Sequence, residues 1–181
     1  RVPGTEGVGT ADFLASDLAA CGRIIREGSK SFHAASLLLP RDVRAAAYAL
    51  YAFCRVSDDA VDEGAHPGAA LQDVRRRLRL ADAGQPDPTS VDRAFAWVLQ
   101  AYGIPSAVPE ALVEGFEWDA QGRRHETLQD VKSYAARVAA TVGVMMTLVM
   151  GVRSCQALAR ACDLGLAMQL TNIARDIGED A

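Results

Sequence analysis

Tyr51-Ala52-Phe53-Cys54-Arg55-Val56-Ser57-Asp58-Asp59-Ala60-Val61-Asp62 is the stretch on which the fold turns. Pro40 precedes it and Gly64 follows it, so it falls inside one helical segment, residues 40–63, opened by a proline and stopped by a glycine. At about 100° per residue, Val43, Ala47, Leu50, Cys54 and Val61 form an apolar stripe. Tyr51, Arg55, Asp58 and Asp62 form a second stripe along its edge. Two carboxylates, a guanidinium and a phenol are therefore expected to border a buried face.

Gln169-Leu170-Thr171-Asn172-Ile173-Ala174-Arg175-Asp176-Ile177-Gly178-Glu179-Asp180 repeats the arrangement on a helix expected over residues 154–180. Gln169, Asn172, Asp176 and Asp180 share one face, with Leu166, Ile173 and Ile177 beside it and Arg175 on the other flank. Asn172, Asp176 and Asp180 place one oxygen donor on each turn. Both clusters break local rules. Like charges one turn apart destabilise a helix, and two carboxylates ~6 Å apart repel by roughly 3 kcal/mol at an effective dielectric near 20. Asp58, Asp59, Asp62 and Glu63 also crowd the C-terminal end of their helix, where the dipole disfavours anions. Hard divalent cations would relieve this, since magnesium takes oxygen from one or two carboxylates and from substrate phosphates. A solvated acidic helix end accounts for either cluster alone. Two clusters at matched spacing, each with an arginine, point to a metal–diphosphate site.

Outward from these stretches, helical periods continue and no strand alternation stands out, so the fold class is all-α. A first helix is expected over residues 12–26, a loop over 27–39, and shorter helices over 68–82, 91–102 and 106–121. Gly84 to Pro88 makes a turn-rich break, and a long helix is expected over 127–150. Residues 1–10 are glycine-rich, expected to be mobile, and carry no signal-peptide pattern. Residues 11–181 are expected to form a single domain. The uncharged run from Val138 to Val152 is shorter than the ~20 residues of a membrane span and suits a buried helix. With a net charge of −4, the chain lacks the basic surface that nucleic acid requires. The four cysteines form no CxxC pair, which favours free thiols and a cytoplasmic location over a disulfide or zinc framework. His33, His66 and His125 are scattered and read as surface or structural residues.

The sequence resembles the squalene and phytoene synthase family. Residues 51–62 look like its first aspartate-rich motif and residues 169–180 like its second. Ser29-Lys30-Ser31-Phe32, followed by Leu38-Leu39-Pro40, matches the family's phosphate-binding loop. Tyr134 with Val138-Ala139-Ala140-Thr141-Val142-Gly143 matches a further segment. Four motifs in the family's order make the likeness specific, and bacterial phytoene synthases resemble it best. Gly28 and Ala140 depart from the pattern, in which many members carry His and Gly.

The resemblance implies a single-domain isoprenoid synthase helical bundle around a central cavity, with more chain beyond Ala181 than this N-terminal part. It implies head-to-head condensation of two geranylgeranyl diphosphates to phytoene via prephytoene diphosphate, in carotenoid biosynthesis. Mg2+, with Mn2+ as the alternative cation, would be held by Asp58, Asp62, Asn172, Asp176 and Asp180. Ser29, Lys30, Ser31, Arg55 and Arg175 would clamp phosphate oxygens, with Tyr51 and Gln169 also contacting substrate. Tyr134 would orient diphosphate or assist proton loss, although a core tyrosine with a satisfied hydroxyl explains it nearly as well. Small residues between 138 and 152 would line the dry cavity, although plain helix packing explains them almost as well. Alternatives are a squalene or dehydrosqualene synthase using farnesyl diphosphate, and a non-catalytic scaffold or assembly relative. No GxGxxG fingerprint for NADPH and no EF-hand loop are present. Prenyl diphosphates are amphiphilic, which suggests peripheral association with the inner membrane; the oligomeric state is left open. Ser36 stands where farnesyl-using relatives look to carry a bulky aromatic, with Tyr48 further on, so the small serine is expected to admit a longer chain, although a serine that only caps or packs near a helix start explains it nearly as well.

Overall fold

A computed structural model describes residues 8–62 and 66–179, with side chains described over 13–62 and 66–176. The helices are α1 (Val8–Gly28), α2 (Lys30–Ser36), α3 (Arg41–Asp62), α4 (Pro67–Asp82), α5 (Ser90–Tyr102), α6 (Ala107–Ala120), α7 (Leu128–Ala135), α8 (Thr141–Val149) and α9 (Cys155–Glu179), with a π-helical segment at Ala136–Ala140. No strand occurs among the described residues. The chain forms two compact units, residues 1–104 and 105–181.

In the first unit, α3 packs on α1, α4 and α5. Phe53 of α3 stacks on Phe95 of α5, with ring centroids 3.8 Å apart and planes within 5°. Arg77 of α4 sits 5.5 Å from the Phe53 centroid. It donates through Nε to Asp92 Oδ1 at 2.8 Å. Asp92 is fully buried and also accepts the Thr89 hydroxyl at 2.5 Å. Thr89 in turn caps α5 by accepting from the Asp92 amide. α1 is tied to α5 by Arg93, whose Nε and Nη2 donate to Asp17 at 2.8 and 2.6 Å.

The buried set of α3 is Ala46, Ala49, Leu50, Ala52, Phe53, Ser57 and Val61. Its main stripe is rotated by roughly 60° from the expected one, because Phe53 supplies the largest apolar surface and turns that side inward. The stripe of Tyr51, Arg55, Asp58 and Asp62 thus lies farther from the core than expected: Arg55 and Asp62 are exposed, Tyr51 and Asp58 half-buried. The expected loop over 27–39 is also corrected. α1 runs to Gly28, Ser29 alone is extended, and α2 forms at once. Ser29 breaks the helix and caps the next one by accepting from the Phe32 amide at 3.3 Å. The mobility expected for residues 1–10 falls mostly outside the described residues, and Val8–Thr10 belong to α1.

In the second unit, Thr127 opens α7 with a capping box completed by Asp130. The helix expected over 127–150 is interrupted by the π segment, which two close crossings bracket. A Cβ on Gly115 of α6 would stand 2.6 Å from Val138 Cγ1, and one on Gly165 of α9 would stand 2.7 Å from the Ala139 carbonyl oxygen. Gly143 of α8 meets the Ala161 carbonyl in the same way, at 2.7 Å. The apolar run is buried only in part: Met145, Leu148 and Val149 of α8 are at most 5% exposed, whereas Met150 and Val152, beyond the end of the helix, are exposed. No helix among the described residues is long and apolar enough to cross a membrane.

Two stability predictions follow from these contacts. Arg93 holds the buried Asp17 carboxyl below its usual range. A depressed carboxyl contributes stability above its unfolded pKa and loses it as pH falls through the folded value. Asp17→Asn should therefore cost about 1–2 kcal/mol at neutral pH, discounted for the part-exposed arginine. Denaturant midpoints should show the gap between variant and parent closing in acid. Gly165→Ala should cost about 1–3 kcal/mol because the added methyl meets backbone, which cannot swing away. Gly68→Ala, with nothing within 4 Å of the new atom, should leave the melting temperature nearly unchanged.

Candidate functional site

The α1–α2 junction gathers three hydroxyl-bearing side chains. Ser29 Oγ lies 3.3 Å from Ser31 Oγ, and Lys30 between them is exposed. Tyr51 reaches the same junction from α3: its ring packs on Phe32 with centroids 6.2 Å apart. Burial pushes its phenol pKa up. The turn that follows α2 is held by Arg44, whose Nη2 donates to the Leu37 and Leu39 carbonyls at 3.0 and 2.9 Å. Ser36 is buried, donates to the His33 carbonyl at 2.6 Å and stands 3.2 Å from the Tyr48 hydroxyl. Ser36 and Tyr48, named separately in the sequence, are neighbours.

Asp58 and Asp62 follow one turn apart at the end of α3. Arg55 is turned to Asp59, donating through Nε at 3.0 Å with Nη2 2.8 Å from the other oxygen. On α9, Asn172 and Asp176 are exposed and Gln169 is half-buried. Arg175 donates to Asp176 at 3.0 and 2.8 Å. Both arginines therefore rest on carboxylates at the surface, in pairs that contribute at most about 1 kcal/mol each. An arriving polyanion can recruit them at little cost. Asp180 and Glu63 lie outside the described residues.

Tyr134 donates its hydroxyl to Asp119 Oδ2 at 3.0 Å. The His125 ring packs on it with centroids 5.0 Å apart. Trp118, next to Asp119, lies 3.9 Å from the Arg123 guanidinium and 4.1 Å from that of Arg137. Sequence reasoning missed Asp119 and His125 as partners of this tyrosine. The only signal was their clustering around residues 118–137, and nothing in a helical period joins α6 to α7.

Among the described residues no three histidine, cysteine, aspartate or glutamate side chains gather closely enough to hold a cation. Each unit instead offers a pair of oxygen donors, Asp58 with Asp62 and Asn172 with Asp176. Such donors fit a hard divalent cation that keeps water and substrate oxygens in its remaining positions. The two thiols of the first unit do not compete: burial pushes Cys54 up to about 12 and Cys21 up to about 11, which leaves both protonated.

The profile of the squalene/phytoene synthase family matches residues 25–181. A phytoene synthase of Rhodobacter capsulatus is 57% identical over 169 residues, covering 92% of this chain and 50% of that protein. One from Cereibacter sphaeroides is 55% identical over 176 residues, with the same coverage of 92% and 50%. The chain thus spans about half the length of these curated relatives. Among solved structures, a dehydrosqualene synthase in complex with ligand superposes with a TM-score of 0.84 at 36% identity, covering 92% of this chain and 59% of that one. A squalene synthase from Alicyclobacillus acidocaldarius gives 0.85 at 30% identity, covering 92% and 64%. The all-α architecture is therefore the isoprenoid synthase helical fold, and the chain belongs to the squalene/phytoene synthase family.

Proposed function

We propose that the protein is a prenyltransferase that joins two geranylgeranyl diphosphates head to head, giving phytoene by way of prephytoene diphosphate. The observation that carries this reading is the 57% identity to a phytoene synthase across 92% of the chain. The site residues make the chemistry physically reasonable. Ser29, Lys30 and Ser31 bind phosphate oxygens at the α1–α2 junction, and Tyr51 adds a phenol there. Arg55 and Arg175 leave their surface carboxylates to clamp the diphosphate bidentately. Asp58, Asp62, Asn172, Asp176 and Asp180 would hold Mg2+, with Mn2+ as the alternative. Bound there, the cation supplies Lewis-acid stabilisation of the departing diphosphate. Gln169, on the Asn172 face of α9, orients the same group. Tyr134, held by Asp119, sits ready to orient diphosphate or to assist proton loss from the final carbocation, taking up that proton as its own phenol proton passes to the Asp119 carboxylate. The small residues between 138 and 152 keep water from that cation.

A second reading, condensation of farnesyl diphosphates, draws on the names of the two structural neighbours, but their identity of 30–36% is well below that of the phytoene synthases. The amphiphilic substrates favour work at a membrane surface from the cytoplasmic side.

In the protein at the full length of its relatives, Asp58→Asn or Asp176→Asn should lower turnover by about 100-fold or more, the scale of losing one charge-stabilising group. Melting in metal-free buffer should change little: each substitution removes like-charge repulsion, and Asp176→Asn also removes the surface pair with Arg175, worth at most about 1 kcal/mol. Near-normal turnover in either variant would remove the metal assignment. Chain length is tested at Ser36. Ser36→Phe sets a ring against the neighbouring Tyr48 and should shift the ratio of kcat/KM values toward farnesyl over geranylgeranyl diphosphate, by about 10-fold or more. Both substrates must compete in one assay, and an unchanged ratio removes this residue from the argument.

A further inference from the structure

Gly28 closes α1, and glycine there has no backbone reason. Glycines that end helices usually adopt a left-handed conformation. Gly84, Gly103, Gly122 and Gly151 have positive φ here, and Gly28 does not. In a helix interior glycine costs up to about 1 kcal/mol against alanine, and less at a helix end; one contact in the structure fits the missing side chain. That contact is Tyr51. A Cβ on residue 28 would stand 2.6 Å from the Tyr51 hydroxyl oxygen and 3.5 Å from the nearest ring carbons. Only the hydroxyl is in the way; the ring itself would be in ordinary contact.

The same device recurs one helical stretch earlier on α1. Gly22 faces Tyr48, with Cδ2 3.2 Å from the position of a Cβ. Two glycines on α1 thus receive two tyrosines of α3, and both tyrosines point toward α2: Tyr48 to Ser36, and Tyr51 to Phe32. The Tyr51 contact differs because the crowded atom is the tip of a side chain. A methyl at residue 28 would be accommodated by swinging the phenol aside, with the helices unmoved. Residue 28 therefore controls where the phenol oxygen points, and the next three residues in the chain are Ser29, Lys30 and Ser31.

We propose that Gly28 is a positioning residue for Tyr51. The missing side chain seats the Tyr51 hydroxyl against the α1–α2 junction, where it donates to the diphosphate held by Ser29, Lys30 and Ser31. The proposal rests on the diphosphate reading given above and adds a residue that itself touches no substrate.

A double-mutant cycle tests it in the protein at the full length of its relatives. Gly28→Ala, Tyr51→Phe and the double variant are compared with the parent for binding of inorganic pyrophosphate in magnesium, by calorimetry, and for thermal melting. Gly28→Ala should weaken pyrophosphate binding about fivefold, equivalent to about 1 kcal/mol, when Tyr51 is present. It should change binding less than about twofold when residue 51 is Phe, because the clashing oxygen is gone and the cycle isolates that pair. In the Phe background Gly28→Ala should also raise the melting temperature, since alanine is the better helix former. Equal loss in both backgrounds, or no loss in either, overturns the proposal. A parent protein that binds no pyrophosphate overturns the diphosphate reading and the proposal with it, a result distinct from the other two because the cycle then has no starting affinity.

Discussion

The Asp92 carboxylate, with no surface open to solvent, is the point on which the first unit is organised. A buried charge is tolerated only when paired and hydrogen-bonded, and Asp92 obtains both from Arg77 and Thr89. Satisfying it fixes α4 against α5 and sets the start of α5. It also lays the Arg77 guanidinium near Phe53, whose stack on Phe95 then sets the rotation of α3. That rotation decides which side of α3 carries Asp58 and Asp62. Replacing such a pair by apolar residues is often neutral for stability, so its contribution here is one of register: a shift of α4 or α5 by a residue would strand the charge.

The second unit reaches definition by a different route. It has no comparable buried ion pair among the described residues; α9 is brought against the π segment and α8 by removal of side chains. Gly143 and Gly165 let backbone meet backbone, and such close approaches lock the rotation of both helices. Gly165, Gln169, Asn172 and Asp176 fall at i, i+4, i+7 and i+11, which places them on one helix face. The crossing at Gly165 therefore sets the bearing of the donors that follow it along α9.

Much of this was legible from sequence because it depends on local spacing. Helical periods located α3 through α6 and α9 to within a few residues, and the i, i+4 acids stood out because they contradict helix electrostatics. The features that escaped depend on contacts between elements. Gly28-Ser29 reads as a breaker and is one, but only for a single residue, since Ser29 also caps the helix that follows. The rotation of α3 is set by Phe95, more than forty residues away. Asp119 and Tyr134 are joined only by tertiary structure. Arg55 and Arg175 were identified as arginines of the two acidic stripes, but the carboxylates they rest on, Asp59 and Asp176, could not be told from their neighbours.

The π segment has a consequence for how this stretch tolerates change. A π turn contains one residue more than the α turn it replaces, so it acts as a phase shifter in a helical screw. Tyr134 lies on one side of it, Gly143 on the other. The face that presents Tyr134 to Asp119 and the face that presents Gly143 to α9 are matched only because of that extra residue. Length is therefore the quantity that the fold constrains between Tyr134 and Gly143. The apolar side chains at 138–140 can be exchanged for others of similar size, but losing one residue there would rotate one contact by about 100° relative to the other.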